Sequence, residues 1–148
     1  VTRYLLDTNI VSEASRPRPS AAVADWIQNQ ADSDLFVSTL TIAEIWRGVL
    51  ETASGRRRRN LEAWLGGAEG PASLFSGRIL PFDERAAMEW ARIMAAGTAV
   101  GRPRSPIDMI IAATAAANDC VVVTVNERHF RDVVDFLNPM ETGSELPD

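Results

Sequence analysis

The chain of 148 residues contains no lysine; all fifteen of its Lys and Arg positions are arginine. It has one histidine, His129, and one cysteine, Cys120. These shortages exclude several kinds of chemistry. A phosphate-binding loop of the Walker type requires its lysine, and so does Schiff-base catalysis. Two-histidine ribonuclease chemistry cannot be assembled from a single imidazole, nor a Cys/His structural zinc site from one residue of each kind. A lone cysteine forms no internal disulfide. No apolar run reaches the roughly 20 residues of a membrane span, because the longest candidate, 107–125, is interrupted by Asp108, Asn118 and Asp119. The sequence enters a strand at once, without the basic, apolar and cleavage regions of a secretory signal, so a reduced, cytoplasmic protein is expected. Any catalysis here must rest on carboxylates, hydroxyls, amides and arginine.

What is present suits a packed domain: 46% hydrophobic and 24% charged residues. Tyr4-Leu5-Leu6 reads as a buried strand running into a helix start at Asp7-Thr8-Asn9, and the Pro-rich segment 16–20 ends that first helix. Helical spacing marks 21–30 and 39–51, with a strand at 35–38 between them. A helix from Arg56 is expected to reach Leu65 and to extend toward Phe75 despite Gly66, Gly67, Gly70 and Pro71. A short strand at 79–82 precedes a helix capped by Asp83. Residues 107–118 are apolar almost all round and predict a central helix. The run 121–125 predicts a strand covered on both faces, and Phe136-Leu137 a last edge strand. Strands alternating with helices predict an α/β fold of three α/β/α layers, with a mostly parallel sheet of four or five strands. We expect one domain over 1–139 and a loose polar tail over 140–148. Working residues of such sheets gather beyond the strand C-termini, near a topological switch point.

Three acids fall where apolar packing does not explain them: Asp7 at the end of the first strand, Glu44 within a helix, and Asp108 at the start of the most apolar helix. Each also has an ordinary role open to it. Asp7 can cap the following helix, Glu44 can pair with Arg47 at i,i+3, and Asp108 fits a Ser105-Pro106 helix start. Spacing alone does not decide between these readings. If the three converge, their repulsion raises some of their pKa values, and a hard divalent cation would relieve it.

Four segments carry a resemblance. Residues 4–11 (YLLDTNIV), 37–48 (VSTLTIAEIWRG), 106–115 (PIDMIIAATA) and 121–130 (VVVTVNERHF) resemble, in order, the conserved blocks of PIN domains. The short chain is most similar to the VapC-type, FitB-like toxins of bacterial toxin–antitoxin pairs. The resemblance implies a Mg²⁺- or Mn²⁺-dependent endoribonuclease with Asp7, Glu44 and Asp108 as metal-holding catalytic acids. It further implies a homodimer, and a VapB-like antitoxin whose basic C-terminal segment enters the acidic cleft. Asn126 occupies the fourth catalytic position, where many members have Asp; an amide adds no charge there, and Glu127 or Asp132 stands close enough in sequence to supply one. Thr8, Asn9 and Thr124 are expected as supporting groups, with turn and cap chemistry as the alternative.

The net charge of −5 is unusual for a protein that handles a polyanion. Setting aside the three candidate acids and the three acids of the tail leaves the remainder close to neutral. Arg102 and Arg104, just ahead of Asp108, are the candidate phosphate contacts, with a solvated loop as the alternative. On a helix only Arg56 and Arg59 of the run 56–59 share a face. Trp26, Trp46, Trp64 and Trp90 fall on apolar helical stripes and read as core or interface, with a groove for a partner helix as a further option for Trp46 and Trp64. His129, lacking an evident partner, reads as structural.

Overall fold

In the computed structural model, which describes residues 1–141, five short strands form one parallel sheet in the order β3-β2-β1-β4-β5. They are β1 (Arg3–Leu6), β2 (Leu35–Ser38), β3 (Ile79–Leu80), β4 (Cys120–Val123) and β5 (Phe136–Leu137). Seven helices connect and cover them: α1 (Thr8–Ala14), α2 (Ala21–Gln28), α3 (Thr39–Leu50), α4 (Arg56–Gly66), α5 (Pro71–Leu74), α6 (Glu84–Ala99) and α7 (Pro106–Ala117).

Successive strand residues point to opposite faces, and this alternation divides the core in two. Leu5 and Val122 pack with Met109, Ile111, Ala112 and Ala115 of α7, and Trp90, Ile93 and Met94 of α6 close over them. Leu6, Leu35, Val37 and Val123 pack on the other face with Ile10, Val11 and Val23, joined by Trp26, Ile42 and Ile45. The expected α/β/α sandwich follows. Ala112, Ala113 and Ala115 of α7 are fully buried and add little bulk, which lets that helix lie close to the sheet.

The strand order is what creates a site. The chain runs outward from β1 through β2 to β3, then returns through α6 and α7 to place β4 on the other side of β1. Connections therefore leave β1 and β4 in opposite directions, and a crevice opens at their C-terminal ends. Asp7 follows β1 and Thr124 follows β4, so both stand at its mouth.

Three expectations need correction. The fourth helix stops at Gly66, and α5 is a separate turn. A Cβ at Gly70 would lie 2.4 Å from the Leu65 carbonyl oxygen, so the chain makes a tight turn there, and Pro71 opens the next helix. β3 covers only Ile79–Leu80, because Pro81 has no N–H to continue the ladder. β4 ends at Val123, leaving Thr124 and Val125 to the site. Of the expected tail, residues 142–148 lie outside the described residues; before them, Glu141 donates its N–H to the Asn138 carbonyl at 3.1 Å. No helix among the described residues is long and apolar enough to cross a membrane.

Candidate active site

The ladder between β1 and β4 continues one residue past Leu6. The Asp7 N–H donates to the Val123 carbonyl at 2.9 Å, which holds this carboxylate at the crevice. The chain then turns into α1, and Asp7 Oδ1 accepts the Thr8 N–H at 2.8 Å as its cap. Oδ2 accepts from the Thr124 hydroxyl at 2.9 Å and from Asn9 Nδ2 at 3.1 Å. The capping role is therefore real, and it leaves room for a second one. Asp7 is only 9% exposed. Burial pushes its pKa above the ordinary carboxylate range; the Thr124 hydroxyl and the Thr8 amide pull it down, while the negative charges of Glu44 and Asp108 push it up again. Acids far apart in sequence thus act on one buried carboxyl.

Glu44 comes to the crevice on α3, whose start is fixed by Ser38: its hydroxyl accepts the Thr41 N–H at 3.0 Å. The Thr8 hydroxyl donates to Glu44 Oε1 at 2.8 Å and lies 3.0 Å from the Thr41 hydroxyl. Arg47, offered by the sequence as a partner for Glu44, pairs instead with exposed Glu51 at 2.8 Å. A Cβ on Gly48, one turn further, would have nothing within 4 Å, so the space beside Glu44 is open.

Asp108 enters at the first turn of α7, behind Ser105 and Pro106. Its Oδ2 lies 3.1 Å from His129 Nδ1. This corrects the reading of His129: the short helical turn Glu127–His129 after β4 brings the imidazole to a candidate catalytic acid. Thr124 ties the floor together. Its buried hydroxyl donates to Asp7 and accepts Asn9 Nδ2 at 3.2 Å and the Asn126 N–H at 3.0 Å, while Asn9 Oδ1 accepts the Val125 N–H at 3.3 Å. Asn126 is exposed at the rim. Glu127 pairs with Arg131 at 3.2 Å.

Arg102 and Arg104 line a cleft of about 500 Å³ that also contains Asp108 and His129. Arg128 and Arg131 complete its wall. These two arginines escaped the sequence reading; their signal was their place directly after Thr124-x-Asn126, in a segment that must return past the crevice. The groove expected beside α4 is present, about 420 Å³ in volume, and is lined by Pro17, Ile45, Arg57, Leu61 and Trp64 among others. Ile45, not Trp46, is the contribution of α3.

As the side chains stand, no group of three or more His, Cys, Asp or Glu among the described residues is gathered closely enough to hold a metal ion. Glu44 is turned to Thr8, and Asp108 to His129. The donor set nevertheless suits Mg²⁺ or Mn²⁺. It consists of carboxylate oxygens, it carries unrelieved like charge at Asp7, and Mg²⁺ needs only one or two direct carboxylates, keeping waters for its other positions.

Residues 4–135 match the PIN domain. The chain belongs to the PIN-domain family. The plasmid stability protein StbB of Pseudomonas syringae is 37% identical to it over 142 residues, 93% of this chain and 98% of the relative. The VapC ribonuclease Y4jK of Sinorhizobium fredii is 36% identical over 138 residues, 93% of this chain and 97% of its own. The crystal structure of FitAcB from Neisseria gonorrhoeae superposes with a TM-score of 0.83 at 35% identity, covering 92% of this chain and 97% of that one. The toxin FitB of the same organism is 38% identical over 120 residues, 81% of this chain and 85% of its own. The PIN match takes in β2 to β4, all but the first residue of β1, the seven helices and every candidate acid described above, and it ends just before β5.

Proposed function

We propose that this PIN domain is a Mg²⁺- or Mn²⁺-dependent endoribonuclease and the toxin of a toxin–antitoxin pair. The observation that carries the reading is Asp7: a buried carboxyl at the β1/β4 crevice, pushed toward its neutral form by burial and by the charges of Glu44 and Asp108. Such a group is unfavourable in the free protein and becomes useful once a cation shares its charge. Asp7, Glu44 and Asp108 would hold the cation. Bound there, it would supply Lewis-acid stabilisation of the phosphodiester and a nucleophile from water.

The chain's own residues do the positioning. Thr124 and Asn9 fix the plane of the Asp7 carboxylate, and Thr8 fixes Glu44 through its hydroxyl. His129 holds Asp108 at the cleft. Asn126, at the rim, offers an amide toward water or a phosphate oxygen without adding negative charge. The relatives named as a VapC ribonuclease and as toxin FitB support RNA as substrate and the role of a toxin. A VapB-like antitoxin is the partner, its apolar helix seated in the groove of Ile45, Leu61 and Trp64 and its basic C-terminal segment in the acidic crevice. A homodimer is the assembly this reading expects.

The test is cleavage of labelled RNA by the purified protein. Activity should require Mg²⁺ or Mn²⁺, stop with EDTA, and be lost in Asp7→Asn, Glu44→Gln and Asp108→Asn, each still folded by circular dichroism. Cleavage that survives all three substitutions together would falsify the assignment.

A further inference from the structure

Four arginines surround a cleft that contains Asp108 in a chain whose net charge is −5. The cleft of about 500 Å³ is lined by Arg102, Arg104, Arg128 and Arg131, with Asp108 and Asp132 as its acids. A neighbouring hollow of about 570 Å³ shares Arg102, Arg104 and Asp132 with it and adds Arg92. These cations are not equivalent. Arg131 is paired with Glu127 at 3.2 Å and Arg92 with Glu89 at 2.8 Å. Arg104 donates to the Arg131 carbonyl at 3.4 Å. Among the described residues, Arg102 and Arg128 take part in no ion pair, although Asp132 lines the same cleft.

The loop that carries Arg102 and Arg104 is held in place. Arg102 donates its N–H to the Gly97 carbonyl at 2.8 Å, and Gly97 is buried on α6. A Cβ at Gly97 would sit 2.8 Å from the Arg102 carbonyl oxygen and 3.1 Å from Arg104 Cγ, so the loop packs against the helix only because residue 97 has no side chain. Asp132 is also specially placed, with φ of 62°, a left-handed conformation that Asp and Asn tolerate better than most residues.

We infer that this cleft is a binding subsite for the backbone of the RNA strand, seating a phosphodiester next to the one that is cut. Arg102 and Arg128 supply the free guanidinium groups, Arg104 supports them, and Asp132 weakens the hold by repulsion, which favours release after cleavage. Guanidinium groups match phosphate oxygens in geometry and charge. A strand whose scissile phosphate lies at Asp7, Glu44 and Asp108 passes Asp108, where this cleft begins. The inference rests on the nuclease reading and adds Arg128 and Asp132, with opposite signs, to the substrate contacts.

The experiment is fluorescence anisotropy of a 5′-labelled 12-nucleotide single-stranded RNA with the full chain in EDTA, titrated with salt, the RNA checked for integrity on a gel. Neutralising one phosphate of a single strand contributes about 0.7 to the slope of log K against log salt. Arg102→Ala and Arg128→Ala should each weaken binding several-fold at low salt and lower the slope by about that amount. Asp132→Asn should tighten binding several-fold, and Arg56→Ala, on α4, should change neither quantity. The double variant Arg102→Ala/Arg128→Ala binding with unchanged affinity and slope would overturn the proposal, as would absence of RNA binding by the wild type at low salt. Cleavage with Mg²⁺ is read separately. A wild type that cleaves while the arginine variants bind normally sinks the subsite alone, and one that shows the arginine and Asp132 effects but never cleaves sinks the nuclease reading alone.

Discussion

His129 Nδ1 and Asp108 Oδ2 lie 3.1 Å apart, joining a histidine that follows β4 to an acid at the start of α7. With Nδ1 protonated the imidazole donates to the carboxylate and fixes which oxygen remains free. An outer hydrogen bond of this kind typically contributes 10–100-fold to metal affinity. His129→Ala should weaken Mn²⁺ binding, measured by calorimetry, within that range. His129→Asn, whose amide can donate from nearly the same place as Nδ1, should recover most of the loss. Because His129 is partly exposed, thermal stability should change little in either variant. Equal Mn²⁺ affinity in wild type and His129→Ala would show that the contact is incidental.

Thr8 makes a separable contribution. Its hydroxyl donates to Glu44 at 2.8 Å, and a hydrogen bond to a charged group contributes about 1.5–3 kcal/mol. Thr8→Val keeps the shape and removes the donor, so RNA cleavage should fall by roughly 10- to 100-fold. Thr8→Ser, which restores the hydroxyl, should cleave at near the wild-type rate. A fully active Thr8→Val would contradict the positioning role.

Asp7 predicts an unusual pH dependence of stability. Its pKa is raised in the folded chain, chiefly by burial, so the folded state binds its proton more tightly than the unfolded state does. Between the ordinary carboxylate value and the raised one, stability contributed by this group falls as pH rises; above the raised value the charged group carries its full cost. Asp7→Asn removes that cost. In EDTA, near neutral pH, the variant should melt higher than the wild type while being inactive, and its advantage should shrink as pH falls toward the ordinary carboxylate range. A lower melting temperature for Asp7→Asn at neutral pH would place the value of Asp7 in its hydrogen bonds and not in the site.

Much of this was legible in the sequence, for identifiable reasons. Val122 and Val123 face opposite cores, as the unbroken apolar run 121–125 predicts. The role of Asp7 as a cap followed from its position before Thr8-Asn9. What escaped the reading depended on side chains meeting across the fold. Nothing local to His129 announces Asp108, and nothing local to Glu44 announces Thr8 in place of Arg47. The split between α4 and α5 was hidden because apolar spacing continues through the glycines, while the close approach of Gly70 to the Leu65 carbonyl appears only in three dimensions.

The central claim is that Asp7, Glu44 and Asp108 share one hard cation, and direct titration of Mn²⁺ into the purified protein tests it. The wild type should bind Mn²⁺ at a site that Mg²⁺ competes for, and Asp7→Asn, Glu44→Gln and Asp108→Asn should each weaken it by at least tenfold while the fold persists. Mn²⁺ binding that is indifferent to all three substitutions, or no binding by the wild type in the presence of RNA, would contradict the account.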